Sequence, residues 1–220
     1  MTKISIVSAY YGKELETMLF LNNLKDKLPK NYELILVNAN SKPIEHEIIT
    51  KRIDLKENIG FANSINNGIK EATGNYVIIM GNDVFPIKKN WINKLINFQK
   101  KHGSWLVSSN NNLGSYQQHK KRFIKTYENY SSTMFFPAIV WLLPRKTIEK
   151  IGYFDEQFLI GCYEDNDYCL RIIKNYGTIH ILKEIMFIHN SSMTFNQFNT
   201  GKYIKENKEK FEKKWCNKNE

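Results

Sequence analysis

The sequence predicts an α/β fold built on an open, mostly parallel twisted sheet with helices on both faces. Two observations lead there. Apolar segments in the first hundred residues alternate as β-α-β-β-α-β-α, the order of a doubly wound sheet. Polar clusters then close the first, second and later strand segments: Ser8 to Gly12, Asn38 to Ser41, and Gly81 to Asp83. Open sheets of this kind bind ligands beyond the carboxyl ends of their strands.

The elements follow in order. Ile4 to Ala9 is a short apolar strand. Leu15, Met18, Leu19, Leu21, Leu24 and Leu28 recur at helical spacing, and Pro29 stops that helix. Tyr32 to Val37 is a buried strand and Lys51 to Leu55 a shorter one. Phe61 to Ala72 reads as a helix closed by Gly74, and Tyr76 to Met80 as a strong β run. Asn90 to Lys101 is an amphipathic helix carrying Trp91, Ile92, Leu95, Ile96 and Phe98. Trp105 to Ser108 is a strand, and Asn110 to Lys121 is polar and loop-like. Ile139 to Leu143 is a strand, Arg145 to Ile151 a short helix, and Glu164 to Asn175 a longer helix. Thr178 to Leu182 and Ile185 to His189 read as two strands. Residues 202–219 form a Lys/Glu-rich helix with apolar Tyr203, Ile204, Phe211 and Trp215.

Composition removes several classes. Of 220 residues, 42% are hydrophobic and 25% charged, which suits a chain with a full core. With 5 Pro and 11 Gly the chain is neither collagen-like nor a Pro-rich linker. No apolar run approaches the roughly 20 residues of a membrane span, and Thr2-Lys3-Ile4-Ser5 has no signal-peptide pattern. Cys162, Cys169 and Cys216 lack metal-type spacing, and an odd count argues against a disulfide framework. The expected compartment is the cytoplasm. Neither a Walker-type phosphate loop nor Gly-x-Gly-x-x-Gly is present, so ordinary ATPase and dinucleotide readings lack their motif.

Lys+Arg 32 against Asp+Glu 22 gives a net charge of +10, unevenly spread. From Val84 to Tyr127 there are nine basic residues and no acid, among them Lys88, Lys89, Lys94, Lys120, Lys121, Arg122 and Lys125. Such a stretch faces nucleic acid, an anionic membrane or a phosphorylated substrate, or it is a solvated surface. By contrast, Phe154 to Leu170 holds Asp155, Glu156, Glu164, Asp165 and Asp167 and no base. Adjacent carboxylates repel unless a cation, a donor or solvent relieves them.

The chemistry concentrates in three places. Asp83 ends a hydrophobic strand, where a carboxylate either holds a divalent cation or closes a turn. Glu164, Asp165 and Asp167 open a helix, whose free N–H groups and dipole favour one or two acids more readily than three. One of them is available as a catalytic base while Asp167 pairs with Arg171, four residues on. His189 ends an apolar strand, where a lone His is more often plain structure; as a ligand it completes, with Asp83, a mixed N/O set suited to Mn²⁺.

These residues, in this order, resemble an inverting family 2 glycosyltransferase of the GT-A, Rossmann-like fold, nearest the bacterial rhamnosyltransferase-like members. Ser8, Ala9 and Tyr11 lie in a segment resembling the family's first nucleotide loop, and Asn38 in the second. Asn58-Ile59-Gly60-Phe61-Ala62 with Asn66 and Gly68 is the most specific stretch. Gly81-Asn82-Asp83 stands at the Asp-x-Asp position, Gly152 through Glu156 leads into the catalytic Glu164-Asp165, and His189 matches a late metal-binding histidine.

The resemblance implies a single GT-A domain over 1–200, with a nucleotide-binding half to about 105 and an acceptor half over 106–200. A basic helix or tail follows at 201–220. It implies sugar transfer from a nucleotide-diphospho-sugar, with inversion, to a saccharide acceptor, including a lipid-linked one at an anionic inner membrane face. The nucleotide-sugar set is Ser8, Ala9, Tyr11, Asn38, Asn58, Gly60, Asn66, Asn82 and Asp83. Asp83 and His189 hold Mn²⁺ or Mg²⁺, and Asp165, with Glu164 as the neighbouring candidate, is the base. Asn38 and Gly81 stand where the family has acids. They leave room for a catalytically inactive relative, and the basic 84–127 stretch for an anionic-surface module, while nucleic acid is disfavoured because it leaves the acidic cluster unexplained.

Overall fold

The computed structural model describes residues 2–113, 115–118, 120–175, 177–190 and 200–216. Its sheet begins with β1 (Ile4–Tyr10), flanked by β2 (Tyr32–Ala39) and β4 (Tyr76–Met80), with β3 (Lys51–Leu55) outside β2. These four strands are parallel, with Ile4 opposite both Tyr32 and Tyr76. The short β5 (Val84–Pro86) leaves the loop after β4. Further on come β6 (Leu106–Asn111), β7 (Phe123–Thr126), β8 (Tyr130–Thr133), β9 (Val140–Pro144) and β10 (Ile179–His189). The strand order is β3-β2-β1-β4-β9-β6-β10-β8-β7, with β5 on β10. β9 runs antiparallel between β4 and β6, so the second half of the chain is stitched into the first.

The helices are α1 (Glu14–Lys25), α2 (Phe61–Glu71), α3 (Trp91–His102), α4 (Ser115–Gln118), α5 (Arg145–Ile151), α6 (Glu164–Asn175) and α7 (Thr200–Trp215). Period-two alternation divides the core. Ile4, Ile6, Leu34, Leu36, Ile78 and Met80 face α1 and α3. Val7, Ile35, Val77, Ile79, Trp141 and Leu143 face α2, α5 and α6. Gly68 lets α2 approach closely, since a Cβ there would sit 2.3 Å from the Val7 side chain.

Several boundaries differ from the sequence expectation for physical reasons. α1 stops at Lys25, buries Phe20, Leu21 and Leu24, and leaves Leu15 and Leu19 exposed. β5, β7 and β8 were not expected; each is three or four residues long and finds its pairing only in the assembled sheet. The polar segment after Ser108 carries the end of β6, then α4 and a turn of 3₁₀ helix at Lys120–Arg122. The two expected late strands are one, with the irregularity at Lys183-Glu184. The C-terminal helix begins at Thr200; positions 217–219 of the expected helix lie outside the described residues. Among the described residues no helix is long and apolar enough to cross a membrane.

Candidate active site

The expected donor residues gather at the carboxyl edge of the parallel strands, apart from Asn66, which lies within α2. Ser8 is buried near the end of β1, and its hydroxyl finds no partner among the described residues. Ala9 follows, half-buried and opposite Val37. Tyr11 comes next, in a turn where Gly12 and Lys13 take φ of 57° and 58° and the Gly12 N–H donates to Ser41 Oγ at 2.6 Å.

Asn38 is buried and its amide is heavily engaged. Nδ2 donates to the Ser41 carbonyl and to Asp54 Oδ1, both at 2.9 Å, while Oδ1 accepts from the Ser41 N–H at 2.7 Å. Both N–H groups of this amide are taken, which argues against a donor contact to a nucleobase. Asp54, directly opposite on β3, was missed in the sequence reading because only the β2–β3 register pairs it with Asn38. Burial pushes its carboxyl up, but the Asn38 and Arg52 donors outweigh that and hold it below its ordinary value.

Asn58 and Gly60 lie in the turn before α2. Asn58 Oδ1 accepts the Gly60 N–H at 3.0 Å. Gly60 has φ 119° and forms a parallel bridge with Ile160; a Cβ would lie 2.4 Å from the Ile160 nitrogen. Asn66 is buried in α2. It donates to the Phe154 carbonyl and Glu156 Oε1 and accepts the Phe154 N–H at 2.9 Å, so its amide holds the segment leading to the acidic helix. Asp155 and Glu156 are likewise bound. Asp155 accepts from Lys214 at 2.7 Å and from Gln157, and Glu156 accepts from Asn63 and Asn66.

After β4, Asn82 donates to Thr17 Oγ1 at 2.9 Å and fixes the loop to α1. The β5–β10 ladder sets Val84 opposite His189, and the Asn190 N–H donates to the Asp83 carbonyl at 3.0 Å. His189 Nε2 then lies 3.4 Å from Asp83 Oδ2, with both side chains partly exposed. One imidazole nitrogen and one carboxylate fit the mixed donor preference of Mn²⁺. Asp83 also leans over residue 81, where a Cβ would lie 2.7 Å from its Oδ1. Among the described residues no group of three or more His, Cys, Asp or Glu forms a metal cluster.

The acids of α6 have separate environments. Asp167 is buried and paired with Arg171 at 2.9 Å and Lys214 at 2.7 Å, and accepts from Trp215 Nε1 at 2.9 Å. The expected Asp167–Arg171 pair is therefore present. Glu164 is buried with one carboxylate oxygen unpartnered, and burial followed by the charge of Asp165 pushes it well above its ordinary value. Asp165 is more open. Burial pushes it up to about 6, opposed by the N–H groups of Asn166 and Ala138 and by the Arg122 charge. Both carboxyls of this adjacent pair are thus raised, chiefly by burial.

The segment Ala138-Ile139 connects the two centres. The Gly81 N–H donates to the Ile139 carbonyl at 3.1 Å, and the adjacent Ala138 N–H reaches the Asp165 carboxylate. The loop of Asp83 and the acids of α6 thus meet across one peptide unit.

The fold and this edge define an α/β domain of the GT-A type. The glycosyl transferase family 2 profile matches residues 5–163, and the chain belongs to that family. No curated protein sequence matches it. Among solved structures it is similar to the mannosyltransferase PcManGT from Pyrobaculum calidifontis in complex with GDP-Man and Mn²⁺. The TM-score is 0.69 at 14% identity, covering 88% of this chain and 58% of that one. It is also similar to S. aureus TarS 1-349, with TM-score 0.64 at 19% identity over 89% of this chain and 62% of that one. For the TarS 1-349 complex with UDP-GlcNAc the TM-score is 0.62 at 16% identity, over 84% and 58%. The chain therefore spans about three fifths of the length of these structures.

The Asn38 geometry has a direct consequence. Asn38→Asp would set a second carboxylate against Asp54 in place of a donor at 2.9 Å. Like charges this close raise the pKa of one member and destabilise the fold while both are ionised. Urea denaturation should show a loss of about 1–3 kcal/mol at pH 7, shrinking as the pH falls through the raised carboxyl pKa toward the ordinary value of about 4. Equal stability at pH 7 would mean that Asn38 and Asp54 are not in contact.

Proposed function

We propose that the chain is a metal-assisted, inverting glycosyltransferase acting on a nucleotide-diphospho-hexose, in keeping with its resemblance to rhamnosyltransferase-like members. The observation that carries this reading is the Ala138-Ile139 link, which joins the loop of Asp83 to the Asp165 carboxylate. Asp83 and His189 would hold Mn²⁺ or Mg²⁺, which when bound supplies positive charge for the departing diphosphate. The donor would lie across the strand ends, against Ser8, Ala9, Tyr11, Asn58, Gly60 and Asn82. The Ser8 hydroxyl, without a partner among the described residues, is a donor and acceptor there. Asn38 and Asn66 would act through the turns they hold. Asp165 would take the proton of the acceptor hydroxyl as its oxygen attacks the anomeric carbon opposite the leaving group, so one displacement inverts the configuration. Glu164, buried beside it, is the neighbouring candidate for that role.

Three expectations follow. Calorimetry with Mn²⁺ and either GDP or UDP should register binding to the wild type and at least about tenfold weaker binding to Asp83→Ala, whose fold should persist. Equal affinity in both would remove Asp83 from the cation site. Both nucleotides belong in the assay, since one similar structure holds GDP-Man and another UDP-GlcNAc.

The base has its own signature. The active form of Asp165 is the carboxylate, and its proton is gained as pH falls through about 6. The value of kcat/KM should therefore drop about tenfold per pH unit below that point and level off above it. Asp165→Asn should lower turnover by at least about 10²-fold with little change in donor affinity. If Glu164→Gln produces that loss and Asp165→Asn does not, the base is the neighbour.

The acceptor is taken as a saccharide, with a lipid-linked one favoured by the surface around β7 and β8. Ile124 is 59% and Met134 47% exposed there, on a hairpin flanked by Lys120, Lys121 and Lys125. Each Lys near an anionic leaflet adds about 1 kcal/mol of attraction. Such attachment would make the protein peripheral at the cytoplasmic face. Co-sedimentation should occur with phosphatidylglycerol vesicles, fail with phosphatidylcholine, and weaken as salt rises. Equal recovery in the supernatant with both lipids at low salt would remove the membrane from the reading.

A further inference from the structure

The basic C-terminal helix, α7, carries Tyr203, Phe211 and Trp215. Two of these rings engage the acidic segment. Phe211 packs on Tyr163 at a centroid distance of 5.3 Å, and Trp215 Nε1 donates to Asp167 Oδ1 at 2.9 Å. Lys210 donates to the Gln157 carbonyl, and Lys214 bridges Asp155 and Asp167, each at 2.7 Å. At the centre of this face is Asn207, fully buried. Its Nδ2 donates to the carbonyls of Leu159, Gly161 and Cys162 at 3.0, 2.9 and 3.2 Å.

Those three carbonyls belong to the backbone that feeds into α6 and Asp165. That backbone cannot hold its shape on local preference. Ile160, Cys162 and Tyr163 take φ of 64°, 75° and 74°, a region that L side chains avoid and β-branched ones most of all. On one side it is pinned by the turn before α2: the Phe61 N–H donates to the Ile160 carbonyl at 3.0 Å and the Ile160 N–H to Ile59 at 3.3 Å. On the other side the side chain that meets its carbonyls is Asn207. The amide cannot be turned over, because its oxygen would then face three carbonyl oxygens. Its own Oδ1 is buried without a partner among the described residues, so both N–H groups are committed to this loop at the expense of the acceptor.

We propose that Asn207 is a positioning residue for the base. By holding the Leu159, Gly161 and Cys162 carbonyls, its amide sets the start of α6 and hence where the Asp165 carboxylate stands, which makes α7 a working part of the transferase. The proposal rests on the assignment of Asp165 as base and goes beyond it, because the Asn207 amide donates to the Leu159, Gly161 and Cys162 backbone rather than to an acid.

The test uses the full chain and separates the two readings. Wild type, Asn207→Ala and Asn207→Gln are compared by three measurements: Mn²⁺-dependent binding of GDP and UDP, nucleoside diphosphate release from GDP-mannose and UDP-GlcNAc, and hydrogen exchange of residues 159–166. A misplacement on the ångström scale costs up to about 10²-fold in rate. Asn207→Ala should therefore lose between about ten- and a hundredfold in kcat, with nucleotide affinity within about twofold of wild type. Exchange at 159–166 should rise while Tyr76–Met80 stays protected. Asn207→Gln, which restores two N–H donors, should recover part of both losses. Unchanged kcat and exchange in Asn207→Ala overturn the proposal, as does a Gln variant no better than Ala. Parallel loss of nucleotide affinity and rate also overturns it, since that marks a general fold defect. If the wild type releases no diphosphate from either sugar nucleotide, the functional reading fails, and exchange at 159–166 still decides whether Asn207 holds the loop.

Discussion

The pairing of Gly60 with Ile160 is the constraint on which the rest of the site depends. It joins the turn before α2, in the parallel half of the sheet, to the loop that starts α6. No side chain can occupy position 60, because a Cβ would meet the Ile160 backbone at 2.4 Å in a conformation with φ 119°. Once that approach is made, Ile160 is held in a left-handed conformation it would not choose, and the following residues enter the helix with their carbonyls turned away from β-type pairing. The interior of the fold is ordinary alternation of apolar strands and helices. The work of bringing chemistry to one edge is done by a few backbone contacts between segments far apart in sequence.

The acids divide by how their oxygens are satisfied. Glu33 at the opposite end of the sheet is held down to about 2 because the Ser5, Lys3 and Thr73 donors outweigh its burial. Asp155 and Glu156 are also held below their ordinary values, by Lys214 and Gln157 in one case and by Asn66 and Asn63 in the other. These carboxylates stabilise the fold above their unfolded pKa, and that contribution is lost as pH falls through the lowered value. Glu164 and Asp165 go the other way, since burial without enough donors raises both. A raised carboxyl costs stability when ionised, so its retention among well-paired neighbours has to be explained by function or by coupling.

Much of this could be read from the sequence, and the misses have physical causes. Every helix of eight residues or more and the strands β1 to β4, β6, β9 and β10 carry an apolar period long enough to recognise. β5, by contrast, is Val84-Phe85-Pro86, too short for any period, yet its ladder with β10 is what brings Asp83 to His189. The α7 helix showed its aromatic residues but not their partners, because a lone amphipathic helix looks the same whether it covers a membrane or a neighbouring loop. Asn38 was legible as a departure from an acid. Its engagement was not, since Asp54 becomes its neighbour only through strand register. Asn207 gave no signal at all: a single Asn in a Lys/Glu-rich helix is indistinguishable from its solvent-facing companions.

The departure at Gly81 makes sense in the same terms. With no side chain at 81, the Asp83 carboxylate rests in the space an acid there would occupy, and its partner is His189 from a different strand. A pair made of one carboxylate and one imidazole supplies one anionic ligand where two carboxylates supply two. It would attract a divalent cation less strongly, and most of the ion's coordination would have to come from elsewhere. On the proposed reading the diphosphate supplies those oxygens, so cation and donor would bind as one unit rather than in sequence.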